Sequence, residues 1–371
     1  MNKLENKKVA IVCDWLKDFG WAEIVISHLL EIFPKADIFT SVFFMQKNKL
    51  FAQRNITTSF IQKIPLLNRS HKLALMLRPY AFESFDFSEY DIVISSSSAE
   101  SKWIITKPET LHFCYCHTPT RYFWSHYHEY LEMMEFGILN PIGNWLMPKI
   151  VHRLRMWDFL ASKRVDFFIA NSKNTASRIN KYYKKEACVI YPGLDLENIP
   201  FSEEKQDYYF YNGRCIPYKK FDLIVDAFNK NGKKIIIATN TDNKLYRSLK
   251  AKSKENITWK FGLNLEEINE IHSKARAFLF PPEEDFGLVP IAAMASGTPV
   301  IAYKKWWSLE TVVEWVTWIF FENQSVRSIN NAIEEFENMH FDAKKIREHA
   351  MKFDKKIFQE NILKYIQEKL S

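Results

Sequence analysis

The chain has 371 residues, 47% hydrophobic and 26% charged, with a formal net charge of +7. This length is a prior for two domains, and the composition excludes a disordered chain. No run approaches the roughly 18 apolar residues of a membrane span, and five cysteines without a CxxC pair argue against zinc and for a reducing, cytoplasmic setting.

In chain order, MNKLENKKVAIVCDWL is no signal peptide, because its apolar run ends at Cys13. KVAIVC reads as a buried strand, and AEIVISHLLEIF as a helix ending before Pro34. ADIFTSVF, YDIVISSSS and LHFCYCHTP read as further strands, with Cys114 and Cys116 in the core. PKIVHRLRMWDFLASKRV is a long helix, DFFIANS a strand, KNTASRINKYY a helix, and ACVIYPGLD a strand entering a Pro-Gly turn. A second cycle then starts at DYYFYNGR, with YKKFDLIVDAFNK as its first helix and KKIIIATN as its next strand. The alternation continues through LYRSLKAKS, NITWKFG, LEEINEIHSKA and RAFLFPP. GLVPIAAMASG is a helix between two glycines, TPVIAY a strand, and the C-terminal region is helical.

Alternating strands and helices imply α/β architecture, with parallel sheets covered by helices on both faces. The two cycles predict Rossmann-like domains at 1–194 and 195–353, facing each other across a cleft. A helix at 354–371 would pack back on the first domain. Ligands of such sheets bind beyond the carboxyl ends of the strands.

Four strand-end segments carry candidate chemistry. PPEEDFGLVPIAAMASG turns through Gly287 into a helix start, where free amides and the helix dipole suit a phosphate and Glu284 suits hydroxyls. An ordinary helix start with acidic caps is the plainer alternative. NGRCIPYKKFD offers Arg214 and Lys219 as a diphosphate clamp, or as a solvated basic loop. YCHTPTRYFW places His117 and Arg121 among aromatics at a strand end, and DWLKDFGWAE turns into the first helix at Gly20. MPKIVHRLRMW and ASKRVDFF are basic segments that suit an anionic membrane surface or plain solvent. No nucleic-acid motif is present.

HTPTRYFW, NGRCIPYKKFDLIVDAF and EEDFGLVPIAAMASGTPVIAY together resemble retaining, nucleotide-sugar-dependent glycosyltransferases of family four, with the GT-B fold. The mannosyltransferases of surface-polysaccharide assembly are the most similar members. The resemblance implies that Arg214 and Lys219 bind the donor diphosphate and Glu284 the donor sugar. It implies that amides of Phe286, Gly287 and Leu288 meet sugar and phosphate, and that His117 lies beside the transferring sugar. Gly20, Trp21, Arg121, Val289, Ala292, Trp306, Trp307 and Glu310 complete its donor site. It implies no metal or other cofactor, a hexose donor with GDP-mannose expected, and a lipid-linked or polysaccharide acceptor. Location would be cytoplasmic, with peripheral membrane contact at the inner face. A catalytically impaired module serving as a partner in a polysaccharide-assembly complex is the alternative.

Two departures stand out. Ala292 occupies the position of the family's second glutamate, which holds the nucleotide ribose. Trp21, Trp103, Trp306, Trp307, Trp315 and Trp318 stand where the family has glycine, in a chain with 9 Gly and 11 Trp. About 7% Gly is usual. The expectation is that these six are glycines encoded by UGA, with real divergence or an engineered change as the alternative. As tryptophans they should strain turns that need positive φ.

Overall fold

VAIVC at Val9–Cys13 is buried along its whole length, as a parallel strand covered on both faces must be. The computed structural model describes residues 4, 6–132, 140–305, 310 and 318–370; Trp306, Trp307 and Trp315 lie outside the described residues. The chain divides into two units, Met1–Pro192 with Phe358–Ser371, and Gly193–Ile357.

The first unit holds a seven-stranded sheet. Its strands are β1 (Val9–Cys13), β2 (Asp37–Thr40), β3 (Ile56–Thr58), β4 (Ile92–Ser97), β5 (Leu111–Cys116), β6 (Phe167–Ala170) and β7 (Ala187–Val189), in the order β3-β2-β1-β4-β5-β6-β7. All pairings are parallel, with Val12 opposite Phe39 on one side and Ser95 on the other. The helix Trp21–Ile32 buries Val25, Ile26, Leu29 and Leu30 against β1 and β2. The C-terminal helix Lys355–Lys369 adds Phe358, Ile362 and Ile366, four residues apart, to that same core.

The second unit holds a six-stranded parallel sheet. Its strands are β8 (Tyr209–Asn212), β9 (Ile235–Thr239), β10 (Ile257–Phe261), β11 (Ala277–Phe280), β12 (Val300–Tyr303) and β13 (Trp318–Phe321), in the order β10-β9-β8-β11-β12-β13. The helix Leu288–Ala295 is buried at every position, which its all-apolar sequence LVPIAAMA permits.

In each sheet the order reverses once, at β1/β4 and at β8/β11, and the connections on either side leave in opposite directions. Such a reversal opens a crevice at the carboxyl ends of the two strands.

Each unit buries a histidine that must stay neutral. His112 on β5 hydrogen-bonds Ser95 Oγ through Nε2 at 2.8 Å. His272, on the helix Leu265–Lys274, lies against the rings of Phe210 and Phe278, and among the described residues neither ring nitrogen has a hydrogen-bond partner. Burial pushes both imidazoles down to about 3. Between that value and the ordinary histidine value near 6.5, the unfolded chain binds protons that the folded chain refuses. Stability is therefore full above about pH 6.5 and falls as pH drops through this window, by about 1.4 kcal/mol per pH unit for each histidine. Urea unfolding at stepped pH should show this slope, and His272→Gln should remove its share.

Candidate functional site

Among the described residues, an ion pair crosses the crevice of the second unit. Lys219 ends the short turn Pro217–Lys219 that follows β8, and its Nζ donates to Glu284 Oε1 from the loop after β11. The turn is fixed by the Tyr211 hydroxyl donating to Lys219 O at 2.5 Å. Lys220 takes left-handed backbone (φ 58°) and starts the next helix. The two partners are only partly shielded, with side chains 11% and 14% exposed. Each therefore keeps a small accessible area.

Beside this pair the chain enters the buried helix through Gly287, at φ 75° and ψ 65°, a conformation that favours glycine. Among the described residues no side chain caps that helix start, so its first amides and the dipole end suit an anion. Phe286 is buried with its ring 5.8 Å from that of Phe353, and Leu288, Val289 and Ala292 are buried in the helix. Arg214 is exposed in the loop after β8, and Glu310 is half-buried.

In the first unit the crevice is closed by a carboxylate that sequence reasoning missed. Asp14, directly after β1, accepts from the amides of Ser98 (2.7 Å), Ala99 (3.0 Å) and Ser101 (2.7 Å) in the loop after β4. Burial pushes its carboxyl up and Glu100 adds to this, while the amide hydrogen bonds oppose both. Glu100 is buried against Arg78 at 3.3 Å and accepts from the Tyr122 hydroxyl. Burial pushes Glu100 up, and the Arg78 guanidinium opposes it.

Lys102 completes this loop. Its Nζ lies 2.6 Å from Asp158 Oδ1, with both side chains fully buried. Burial works against the ammonium, but Asp158 outweighs it and the net direction is upward. Asp158 also accepts from Trp103 Nε1 (2.8 Å), Trp124 Nε1 (2.7 Å) and the Tyr183 hydroxyl (2.8 Å). The signals for these acids were single carboxylates inside apolar or small-residue runs: VAIVCDWL, SSSSAESKW and MWDFL.

His117 follows β5, half-buried, with Nε2 2.9 Å from Ser96 Oγ and its amide donating to Ser97 O at 2.9 Å. Arg121 is half-buried in the next turn. Gly20 has extended backbone (φ −138°), and its amide donates to Glu23 Oε2 at 2.9 Å, so that amide is not available to an outside anion.

The strain expected at the tryptophans is absent at the three described positions. The non-glycine residues with positive φ among the described residues are Leu66, Lys184 and Lys220. Trp21 is the exposed first residue of a helix. Trp103 is fully buried, stacked on Phe123 and bonded to Asp158. Trp318 begins β13, fully buried, with Nε1 2.8 Å from Met294 Sδ.

Residues 194–353 match the family described as Glycosyl transferases group 1. An uncharacterized glycosyltransferase of Methanocaldococcus jannaschii is 28% identical over 204 residues, covering 53% of this chain and 56% of that protein. The O-antigen chain mannosyltransferase RfbU of Salmonella typhimurium is 28% identical over 156 residues, covering 38% of this chain and 43% of that protein. The chain thus spans about half the length of the curated relatives it matches. Among solved structures, Anabaena HepE in complex with UDP and glucose matches with a TM-score of 0.70 at 16% identity, covering 97% of this chain and 100% of that one. Sucrose-phosphate synthase from Thermosynechococcus elongatus matches with a TM-score of 0.73 at 15% identity, covering 98% and 99%. At these identities the likeness establishes the fold, which is GT-B.

Trp103→Gly should destabilise the chain by about 3–5 kcal/mol, because it empties a filled core site and removes a donor from buried Asp158. Urea unfolding measures the loss. A gain in stability would instead mean that glycine is the residue this site accommodates.

Proposed function

We propose that the chain is a retaining glycosyltransferase that moves a hexose, mannose from GDP-mannose, to a lipid-linked or polysaccharide acceptor. The observation that carries this reading is the Lys219–Glu284 pair across the strand-order reversal, beside the uncapped helix start at Gly287. These residues lie within the segment that matches the glycosyl transferase family. The mannosyl assignment draws on the O-antigen chain mannosyltransferase among the relatives. That the donor is a nucleotide sugar draws on a structural neighbour in complex with UDP and glucose, which leaves the choice of guanine base to the mannosyl relative.

In this reading the donor diphosphate takes the place of Glu284 on Lys219 and recruits Arg214 from its exposed loop. The freed Glu284 carboxylate accepts hydrogen bonds from donor-sugar hydroxyls. As the bond from the anomeric carbon to the diphosphate breaks, negative charge grows on the leaving oxygens. Two cations and the helix terminus stabilise it there more than in the ground state. The acceptor attacks from the face the diphosphate leaves, a phosphate oxygen takes its proton, and configuration is retained. No metal enters this scheme.

Ala292 favours a second reading, a module that serves a polysaccharide-assembly complex without catalysis. A carboxylate for the nucleotide ribose is missing there, which weakens donor binding by about 1–3 kcal/mol.

Calorimetry of the chain with GDP-mannose and UDP-glucose, followed by transfer assays with lipid extract, separates the two. The expected result is binding with turnover, GDP-mannose preferred. Lys219→Ala should lower kcat/KM by about 10²–10³-fold, and Glu284→Gln should impair transfer more than nucleotide binding. Absence of turnover with every donor would favour the second reading.

A further inference from the structure

At the amino ends of β8, β11 and β12, the end of the sheet away from the candidate site, the second unit holds a lysine that no carboxylate neutralises. Lys205 is half-buried, and its Nζ donates to Ser273 O (2.8 Å), Thr298 Oγ1 (2.9 Å) and Ser296 O (3.4 Å). Every one of these acceptors is neutral. Ser273 lies in the last turn of the helix Leu265–Lys274, and Ser296 directly follows the helix Leu288–Ala295. The ammonium therefore ties the carboxyl ends of two helices together, where a cation meets unpaired carbonyls and the negative end of each dipole. The second of these helices is the one that begins beside Gly287.

The charges around Lys205 do not compensate its own. Among the described residues it makes no ion pair. The nearby carboxylates are engaged elsewhere, Glu203 with Lys344 at 3.0 Å and Glu337 with Lys233 at 2.6 Å and Arg276 at 3.3 Å. His272, on the adjoining helix, is held neutral by burial. Burial likewise pushes the Lys205 amine down, to about 8.

One side of Lys205 is open. It lines a cavity of about 250 Å³ together with Arg276, Phe336, His340 and Phe341. The rings of Phe336 and Phe341 stack at 5.3 Å and give that wall an apolar surface. Arg276, 38% exposed, gives the cavity a cation. A desolvated amine beside a second cationic group is the arrangement that turns lysine into a nucleophile. Its three contacts match the three protons of the ammonium. The neutral amine has two protons, and the 3.4 Å contact to Ser296 is the weakest of the three to keep. The lone pair is then free to react.

We propose that Lys205 is a modification site, a nucleophilic amine that takes an acyl group from a small acyl phosphate entering this cavity. The amine nitrogen attacks the acyl carbon and forms the C–N bond. The bond from that carbon to the phosphate oxygen breaks, phosphate leaves with the electron pair, and the proton of the amine passes to solvent. The amide that results has one N–H and no charge. It can serve only one of the three acceptors, so the two helix ends lose their common donor. This site stands apart from the transfer reading.

The test is treatment of the folded full chain with acetyl phosphate, with acetylation of each lysine followed by peptide mass spectrometry. Near neutral pH, Lys205 should react roughly tenfold or more faster than the exposed Lys230 and Lys260, because a far larger fraction of it is neutral. Its rate should level off above about pH 8 while the other two still rise. In concentrated urea the preference should vanish. Acetylation should also lower the melting temperature of the parent chain by several degrees more than that of a Lys205→Arg chain treated in parallel, which keeps the cation and offers no amine. A Lys205 rate at or below that of the exposed lysines, a preference that survives in urea, or equal losses of melting temperature in the two chains would overturn the proposal.

Discussion

The architecture of the candidate site depends on one topological constraint, the single reversal of strand order in each parallel sheet. At β1/β4 and β8/β11 the connecting segments leave in opposite directions, and neither covers the gap at the strand ends. Backbone groups there need partners, and the two units supply them in opposite ways. The first spends a carboxylate, Asp14, on three amides of the loop after β4. The second leaves a lysine and a glutamate facing each other with some access to water. The first crevice is thus sealed by hydrogen bonds that nothing outside can replace cheaply. The second is closed by a contact that an anion can exchange.

The sealed crevice explains the density of buried charge behind it. Arg78–Glu100 and Lys102–Asp158 both lie at essentially zero exposure. Such pairs add little net stability, because desolvation offsets most of the Coulomb attraction. Removing one partner is another matter, at about 3–5 kcal/mol. Their effect is therefore to specify one arrangement of the loop 98–103. Trp103 belongs to that arrangement, since it donates to the same Asp158 oxygen that neutralises Lys102. A residue read from sequence as misplaced at a glycine turn is, in the folded chain, one of the donors that make a buried aspartate tolerable.

Periodicity made most of the fold legible. Buried parallel strands show as short apolar runs such as VAIVC and KKIIIATN, and the helix KNTASRINKYY is Lys173–Tyr183 in the structure. The segment between β2 and β4 was not legible, because β3 is a three-residue edge strand and the helices after it are short. In the candidate site, Lys219 and Glu284 were visible as residues at strand ends, since any charge there faces the crevice. Their ion pair was not, because it joins positions 65 residues apart. Asp14, Glu100 and Asp158 were illegible for another reason: a lone acid in an apolar run has no periodicity, and only the packed structure shows what neutralises it.

The ion pair that marks the site also limits it. A ligand that takes Lys219 must first break its contact with Glu284, so part of the incoming phosphate's attraction is spent on separating two charges that already satisfied each other. The partial exposure of the pair keeps that loss small, because solvent screens the contact before the ligand arrives. A fully buried pair such as Lys102–Asp158 would make the same exchange prohibitive. The difference in burial between these two lysine–carboxylate pairs makes the Lys219–Glu284 contact the less costly of the two to open, which is what the proposed exchange with a donor diphosphate requires.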